Sequence, residues 1–391
     1  MLGYILSYIR KYNEAARFNN SDPLWRQLVF YSHGPEDWLV IEPIMLELIH
    51  QFKKPISFVT ANPQDPIRHM PPIKIAPYLI GSGKLRERFL ERMECDTMVV
   101  SNESALKKPF PISPNVKNYT CFFPSLKSVR ATVCEENLAN FSTFLCSANH
   151  QLLDLQDIQQ KTGRNYQILP CGTTRMDRAL KIAEDSRRVG YDKTPTIFVA
   201  FFDPALDHRD TTVSPIVQGL LDADYRVILR PPQQWIDRKG NFIRPIYERF
   251  ASRDLFFPDG EQASGYSIYR ADCLITDNAD LALELSITLE YPFVLLDLGQ
   301  SSGAERVEHS FESTLQSYVG PPITETQLDQ LPKVVAELLK KRNTISTQLK
   351  NLRTRALINP ARAALTAAFI LTNKFQMPAV PQPVETTTPA V

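Results

Sequence analysis

The fold is decided by a short stretch near the N-terminus, Leu28-Val29-Phe30-Tyr31-Ser32-His33-Gly34-Pro35-Glu36-Asp37-Trp38. Its apolar half, Leu28–Ser32, predicts a buried β-strand, and a Gly-Pro turn leads from it directly into the helical stretch Trp38–Phe52. A strand that passes at once into a helix is the first half of a β-α-β unit. Such units predict parallel strands with helices on both faces of the sheet.

The same alternation recurs along the chain in two series, which are separated by the polar stretch Glu184–Thr194. The predicted strands are Leu28–Ser32, Ile56–Thr60, Thr97–Ser101, Tyr119–Phe123, Thr143–Cys146 and Tyr166–Leu169, then Thr196–Phe201, Tyr225–Leu229, Asp272–Thr276 and Phe293–Leu296. Amphipathic stretches between these strands predict the helices. Each series therefore predicts one doubly wound α/β domain.

The predicted organisation has five segments. An N-terminal helix covers residues 1–24, a first Rossmann-like domain covers 25–190 and a second covers 191–345. The pattern after Pro322 is purely helical, which predicts a C-terminal helix at 346–375 that bridges back across the domain junction. Prolines and threonines dominate 376–391, so we expect this tail to be disordered.

The N-terminal helix has one apolar face, which Arg10 and Lys11 interrupt. The segment is too short to span a bilayer and lacks the layout of a signal peptide. We favour a helix that packs on the first domain over a membrane-surface anchor. The expected location is therefore the cytoplasm, with peripheral contact to the inner membrane as the open alternative.

The composition argues against several classes of protein. The 44 Lys+Arg and 43 Asp+Glu residues leave a formal net charge of +1, which argues against a nucleic-acid-binding protein. The six cysteines contain no Cys-x-x-Cys pair, and no cluster of His, Cys, Asp or Glu has metal-ligand spacing. We therefore expect reduced thiols, no metal and no cofactor. Only 14 glycines stand against 30 prolines, so we expect no dependence on glycine-rich phosphate loops.

The expected site is the cleft between the two domains, because ligands of open α/β sheets bind beyond the carboxyl ends of the strands. His33 follows the first strand beside Glu36 and Asp37, and it is the candidate general base for a substrate hydroxyl. The alternative is a solvated or helix-capping histidine. His150, at the start of the helix after another strand, is a further candidate.

Several short motifs follow the strands in a particular order. They are Tyr31-Ser32-x-Gly34, Asp65-Pro66, Gly172-x-x-Arg175-x-Asp177, Val227-Ile228-x-Arg230-Pro231 and Asp272-x-x-Ile275-x-Asp277, followed by Glu284. Together they resemble the CDP-glycerol glycerophosphotransferase family, over most of the chain from Leu28 to Leu298. The resemblance implies an α/β, GT-B-like fold: two Rossmann-like doubly wound domains, the first for the acceptor and the second for the nucleotide donor, with a bridging C-terminal helix.

The resemblance also implies that three residues of the second domain bind the donor. Arg230 would reach a phosphate, Glu284 would suit a ribose hydroxyl, and Asp277 belongs to the same motif. The alternatives are a surface arginine before a Pro-Pro turn and a carboxylate on a solvated helix face.

Arg175 and Asp177 lie at the predicted domain junction. They would contact the donor or fix the hinge geometry, as the resemblance implies. The alternative is an ordinary helix start that Thr173 or Thr174 caps. Two residues apart on a helix, Arg175 and Asp177 would not face each other as an ion pair.

The chain departs from the family where its chemistry is expected. Pro124 and Pro232 stand where the family carries histidines, and Ala279 and Asp280 replace a serine and a glycine suited to holding a phosphate. A proline side chain neither accepts nor donates a proton. A carboxylate at a helix N-terminus takes the partial positive charge that a phosphate would use. Both changes predict weakened or altered donor chemistry.

Two functions follow from the resemblance. The first is a transferase of teichoic-acid-type or capsule-type surface polymers, which passes a group from CDP-glycerol or another nucleotide-activated donor to a polymer or lipid-linked acceptor. The second is a catalytically inactive member that serves as a scaffold or regulatory partner of an active paralogue. The lost histidines favour the second function, and the retained Arg175, Arg230, Asp277 and Glu284 favour at least nucleotide binding.

Overall fold

The computed structural model describes residues 13–69, 74–101, 103–187, 194–202, 209–237, 243–259, 267–298 and 311–372. Within these ranges the strands form two separate sheets. The strands are β1 (Leu28–Ser32), β2 (Ile56–Thr60), β3 (Ile75–Leu79), β4 (Cys95–Val100), β5 (Val116–Phe122), β6 (Thr143–Cys146), β7 (Gln167–Pro170), β8 (Thr196–Ala200), β9 (Arg226–Arg230), β10 (Phe256–Pro258), β11 (Cys273–Thr276), β12 (Phe293–Asp297) and β13 (Ile323–Thr324).

Helices connect most of these strands. They are α1 (Pro35–His50), α2 (Lys84–Leu90), α3 (Glu103–Leu106), α4 (Val129–Thr132), α5 (Glu135–Asn140), α6 (Asn149–Thr162), α7 (Thr174–Arg187), α8 (Arg209–Asp222), α9 (Gln233–Asp237), α10 (Arg244–Phe250), α11 (Ala279–Leu289), α12 (Phe311–Val319), α13 (Leu331–Lys340), α14 (Arg342–Ala356) and α15 (Ala363–Thr372). Short 3-10 turns lie at Pro23–Arg26, Pro66–His69, Ser267–Arg270 and Glu325–Gln330.

The first sheet has the strand order β3-β2-β1-β4-β5-β6-β7, and its neighbouring strands are parallel. Every residue of β1 and β2 is buried, because apolar side chains pack on both faces of the sheet. The order reverses between β1 and β4. This switch point leaves a crevice beyond the ends of the two strands, where ligands of such sheets bind.

The second sheet has the order β10-β9-β8-β11-β12-β13, again with parallel neighbours and a reversal between β8 and β11. Its core runs from Ile197 in β8 to Leu349 in α14 and also includes Leu126, Ala148 and Met176 from the first half. Two parallel sheets with alternating helices confirm the predicted α/β, GT-B-like class.

All of the predicted strands overlap observed ones, whereas three observed strands have no prediction: β3, β10 and β13. Each of the three lies at an edge of its sheet. Pro77 within β3 and Pro258 at the end of β10 weaken the sequence signal, and a proline is tolerated there because an edge strand needs only one row of ladder hydrogen bonds.

The predicted bridging helix at 346–375 is corrected by the structure to two helices, α14 and α15. Between them Leu357 pairs with Ala148 in an antiparallel bridge, and Pro360 cannot continue a helix. The second helix, α15, packs on α1, and its Ala367 belongs to the apolar core on one face of the first sheet. The last helix therefore returns to the first sheet. Residues 373–375 lie outside the described ranges.

Residues 13–19 at the end of the predicted N-terminal helix are helical, and Phe18 is buried against the rings of Tyr78 and Phe89. This part of the helix packs on the first half of the chain. Residues 1–12 and the predicted tail 376–391 lie outside the described ranges. None of the described helices has both the length and the hydropathy that crossing a bilayer requires.

Candidate functional site

His33 lies just beyond the end of β1, in a group of side chains that we call the His33 corner: Tyr31, His33, Asp37 and Arg86. The Tyr31 hydroxyl and the Arg86 guanidinium both donate to Nδ1 of His33, at 3.1 and 3.3 Å. Burial raises the pKa of Tyr31 to about 12, which keeps its hydroxyl protonated. The Asp37 carboxylate accepts from the backbone N–H of His33 at 2.6 Å and fixes the start of α1.

The tautomer of His33 follows from these partners. A guanidinium only donates, so Nδ1 must carry the lone pair and Nε2 must carry the hydrogen of the neutral ring. Two donors then occupy the nitrogen that would accept a proton. The geometry of the His33 corner therefore suits a hydrogen-bond donor better than the predicted general base, and the predicted role stays untested.

A buried carboxylate next to this corner received no role from the sequence beyond its motif. Asp65 is fully buried and accepts from the hydroxyls of Ser32 and Thr60, at 2.8 and 2.9 Å. Burial raises its pKa, and these hydrogen bonds oppose the rise. Asp65 thus connects the ends of β1 and β2. The Asp-Pro motif was the only sequence signal that pointed to it.

Arg230 lies at the end of β9 in the second half. Its guanidinium is held by the buried carboxylate of Asp259, with Nε 2.7 Å from Oδ2, and it lies over the ring of Phe198. The same oxygen of Asp259 accepts from the Ser267 hydroxyl at 3.0 Å. Asp259 therefore occupies the Nε–Nη2 edge of the guanidinium and orients Arg230 at the strand end where a phosphate was predicted.

Arg175 and Glu284 form an ion pair between two helices that pack on each other, α7 and α11. Arg175 of α7 lies 2.7 Å from the carboxylate of Glu284 in α11, and these two side chains are 47% and 14% exposed. Burial is the main cause that raises the pKa of Tyr269, and its other perturbing charges are Glu284, Arg178, Arg175 and Arg230. Arg175 and Arg230 each already have a carboxylate partner, Glu284 and Asp259 respectively.

The carboxylates of Asp177 and Asp277 both accept hydrogen bonds from backbone N–H groups. The carboxylate of Asp177 accepts from the N–H groups of Ala361 and Ala363, at 2.6 and 2.9 Å, so it caps the start of α15. Asp277 accepts from the N–H of Phe202 at 2.9 Å and connects the ends of β8 and β11. These contacts favour hinge geometry over donor contact for Asp177. As expected, Arg175 and Asp177 do not pair with each other.

Thr173 and Thr174, the suggested caps of α7, use their hydroxyls elsewhere. Thr173 donates to the carbonyl of Pro124 at 2.6 Å, and Thr174 donates to the carbonyl of Val40 at 2.7 Å. Pro124 therefore has a backbone role in fixing the start of α7. The carbonyl of Pro232 similarly accepts from the N–H of Trp235 at 3.0 Å.

Ala279 and Asp280 form the first turn of α11, which Asn278 caps through the N–H of Leu281 at 2.9 Å. Asp280 was expected to weaken donor chemistry by taking the partial positive charge of this helix N-terminus. In the structure its carboxylate lies 2.5 Å from Nζ of Lys127, which belongs to the loop after β5. The extra negative charge is therefore balanced by a cation from the other side of the cleft.

The Lys127–Asp280 pair belongs to a contact between the two halves that we call the seam: Lys127, Ser128 and His150 against Asp280, Phe311 and Glu312. The Ser128 N–H donates to Glu312 at 2.8 Å, and the rings of His150 and Phe311 stack at 4.3 Å. Sequence reasoning did not identify Lys127 or Glu312, because only the fold brings them together. Within the described ranges, no three His, Cys, Asp or Glu side chains are placed to hold a metal ion.

No family model and no curated protein sequence matches this chain. Solved structures do match it, and they share the GT-B-like arrangement of two parallel sheets. The wall teichoic acid polymerase TagF is similar with a TM-score of 0.57 at 13% identity, over 94% of each chain. UDP-GlcNAc 2-epimerase from Neisseria meningitidis, bound to UDP-GlcNAc, is similar with a TM-score of 0.54 at 10% identity, over 88% of this chain and 98% of that chain.

A TagF variant soaked with CDPG gives a TM-score of 0.58 at 13% identity, over 94% of each chain. At these identities the likeness defines the fold. This chain therefore has a GT-B-like α/β fold built on two parallel sheets.

Proposed function

We propose that the chain binds a nucleotide-activated donor in its cleft and transfers the activated group to an acceptor of cell-surface polymer synthesis. The observation that carries this proposal is the pair of Arg175 with Glu284, together with Arg230 held by Asp259 at the end of β9. Arginines recognise phosphate oxygens bidentately, and an acidic residue on the neighbouring helix suits ribose hydroxyls.

The neighbours in fold support the same class of ligand. One was solved after a soak with CDPG and another with UDP-GlcNAc, and both fold as this chain does. CDP-glycerol or a related CDP-alcohol is the donor that the sequence motifs favour, with a nucleotide sugar as the alternative. The acceptor would be a polymer or a lipid-linked chain that ends in a hydroxyl.

Calorimetric titration with CDP-glycerol, CMP and UDP-sugars tests the proposal. We expect binding by the wild type and at least tenfold weaker binding by Arg230→Lys, which keeps a cation for Asp259 but loses the planar fork. Arg244→Ala is the matched control, because Arg244 is exposed and pairs only along its own helix with Glu248 in the described structure. Absence of binding to every nucleotide would overturn the proposal.

A second function, an inactive scaffold for an active paralogue, is favoured by one observation. Pro124 and Pro232 occupy the positions of the family's histidines, and both contribute backbone carbonyls to local structure. Tight nucleotide binding without turnover, together with a stoichiometric complex with an active homologue in a pull-down, would decide for the scaffold.

A further inference from the structure

In the described structure, the chain passes between its two halves at two places. The first is α7, which lies between the first sheet and β8 in the sequence. Its Thr174 donates to the carbonyl of Val40 in the first half, whereas its Met176 belongs to the core of the second sheet. The second place is the linker 357–362, between α14 and α15. Leu349 of α14 belongs to the second core, and α15 packs on α1 of the first half. Any rotation of one half against the other must therefore bend the chain at these two places.

One carboxylate connects the two crossings. Asp177, in the first turn of α7, accepts from the N–H groups of Ala361 and Ala363, at 2.6 and 2.9 Å. The side-chain amide of Asn359 donates to the carbonyl of Cys171, just after β7, at 3.3 Å. The linker is therefore fixed to α7 and to the end of the first sheet at the same time. We call this contact the Asp177 clasp: Ser147, Gly172 and Asp177 against the linker 357–362 and Ala363.

Gly172 lets the linker come this close. A Cβ atom at position 172 would lie 2.6 Å from the carbonyl oxygen of Ile358 and 3.0 Å from the Cβ of Ala363. Its φ of 97° also belongs to the region that favours glycine. The N–H of Ile358 in turn donates to the carbonyl of Ser147, just after β6, at 3.3 Å. The linker is thus packed, backbone against backbone, on the ends of two neighbouring strands.

Two residues of the linker adopt left-handed backbone conformations. Asn359 has a φ of 46° and Ala361 has a φ of 63°. Asparagine adopts this conformation more readily, whereas the Cβ of an alanine makes it unfavourable. A strained residue of this kind persists only where its surroundings hold it in place. At Ala361 the holding group is the carboxylate of Asp177, which accepts from its N–H. The linker is therefore strained as long as the clasp is closed.

We propose that the Asp177 clasp fixes the angle between the two sheets and holds the linker in its strained conformation, so that loss of the Asp177 carboxylate releases both. Because α14 packs with the second sheet and α15 with the first, a relaxed linker permits the two halves to rotate. The clasp acts in this way whatever ligand the chain binds, so absence of nucleotide binding would leave it unaffected.

The first measurement is hydrogen exchange of the backbone amides in the whole chain. Asp177→Ala should speed exchange at Ala361 and Ala363 by about tenfold or more, because both amides lose their acceptor. Asp157→Ala is the control, since Asp157 is an exposed carboxylate that pairs along its own helix with Lys161. Exchange that is unchanged in Asp177→Ala would show that Asp177 does not hold the linker, and the inference would be wrong.

The second measurement is the distance between the two halves, by pulsed electron paramagnetic resonance. Spin labels on His50→Cys and Arg244→Cys report it, because both positions are exposed and lie in different halves. Cys134→Ser removes the cysteine that is not fully buried. We expect Asp177→Ala to make the distance distribution about twice as broad. Faster exchange with an unchanged distribution would show that Asp177 only caps α15, which would overturn the proposed control of the angle.

Ala361→Gly tests the strain, and it keeps every contact of the clasp, so it serves even if Asp177→Ala does not fold. Glycine adopts the left-handed conformation without a steric penalty, so the closed linker should be more stable. We expect exchange at Ala363 to slow by about threefold and the distance distribution to stay as narrow as in the wild type or become narrower. Exchange that is equal or faster in Ala361→Gly would show that the linker is not strained, and the inference would fail.

Discussion

His33 and His150 both follow strands of the first sheet, yet their surroundings differ in one decisive respect. At the His33 corner, Tyr31 and Arg86 both donate to the nitrogen that holds the lone pair. At the seam, the corresponding nitrogen of His150 is buried without a donor. A position after a strand brings an imidazole to the cleft, but the donors that reach its ring decide whether it can accept a proton.

Asp65 lies next to the His33 corner and accepts from two buried hydroxyls, so removing its carboxylate should give the largest effect. Asp65→Ala leaves the hydroxyls of Ser32 and Thr60 without their buried acceptor. We expect the free energy of unfolding to fall by about 2–3 kcal/mol in urea titrations.

Asp65→Asn is the matched variant, because it keeps an oxygen acceptor and removes the buried charge. It should lose less than about 1 kcal/mol. Equal losses for the two variants would show that the charge of Asp65, and not its acceptor oxygen, connects β1 to β2.

The seam should respond to pH, because it contains a buried histidine ring. Because burial lowers the pKa of His150 in the folded state, the unfolded state binds its proton more tightly. Stability should therefore be full above pH 6.5, the ordinary value for histidine, and should fall as the pH drops towards the folded-state pKa. The expected loss is about 1.4 kcal/mol for each pH unit in this window.

Thermal melts of the wild type and His150→Gln between neutral and mildly acidic pH measure this loss. The variant should lose less stability than the wild type over the same range, and His50→Gln should follow the wild type. If the pH dependence of His150→Gln matches that of the wild type, His150 does not have a lowered pKa and the contrast with the His33 corner disappears.

Most of the fold was readable from sequence because apolar runs and turns are local signals. The apolar run Leu28–Ser32, which ends just before the His33-Gly34 turn, was predicted as a strand at the bounds that β1 has in the structure. The edge strand β3 was missed because Pro77 looks like a breaker until an edge position makes it harmless. The division between α14 and α15 depends on the pairing of Leu357 with Ala148, which are distant in sequence.

The candidate site was predictable only in part. Sequence motifs pointed to Arg175, Arg230 and Glu284; in the structure Arg175 pairs with Glu284, whereas Arg230 pairs with Asp259. The lone pair of His33, by contrast, is taken by Arg86, a residue on another element. The partners of Asp280 and His150 likewise come from across the seam. Such partners depend on tertiary contacts, which no local pattern contains.

The smallest expected effect comes from the Lys127–Asp280 pair, and it tests what holds the seam together. Asp280 is 49% exposed, whereas Lys127 is 15% exposed. Solvent screens a pair of this kind, so a double-mutant cycle with Lys127→Met and Asp280→Asn should give a coupling energy below about 1 kcal/mol that decreases with added salt. A salt-independent coupling of several kcal/mol would instead make this pair the main connection between the two halves. With the small value, the seam depends on the His150–Phe311 stack, the Ser128–Glu312 hydrogen bond and the packing of Leu126 and Ala148 against the core of the second sheet.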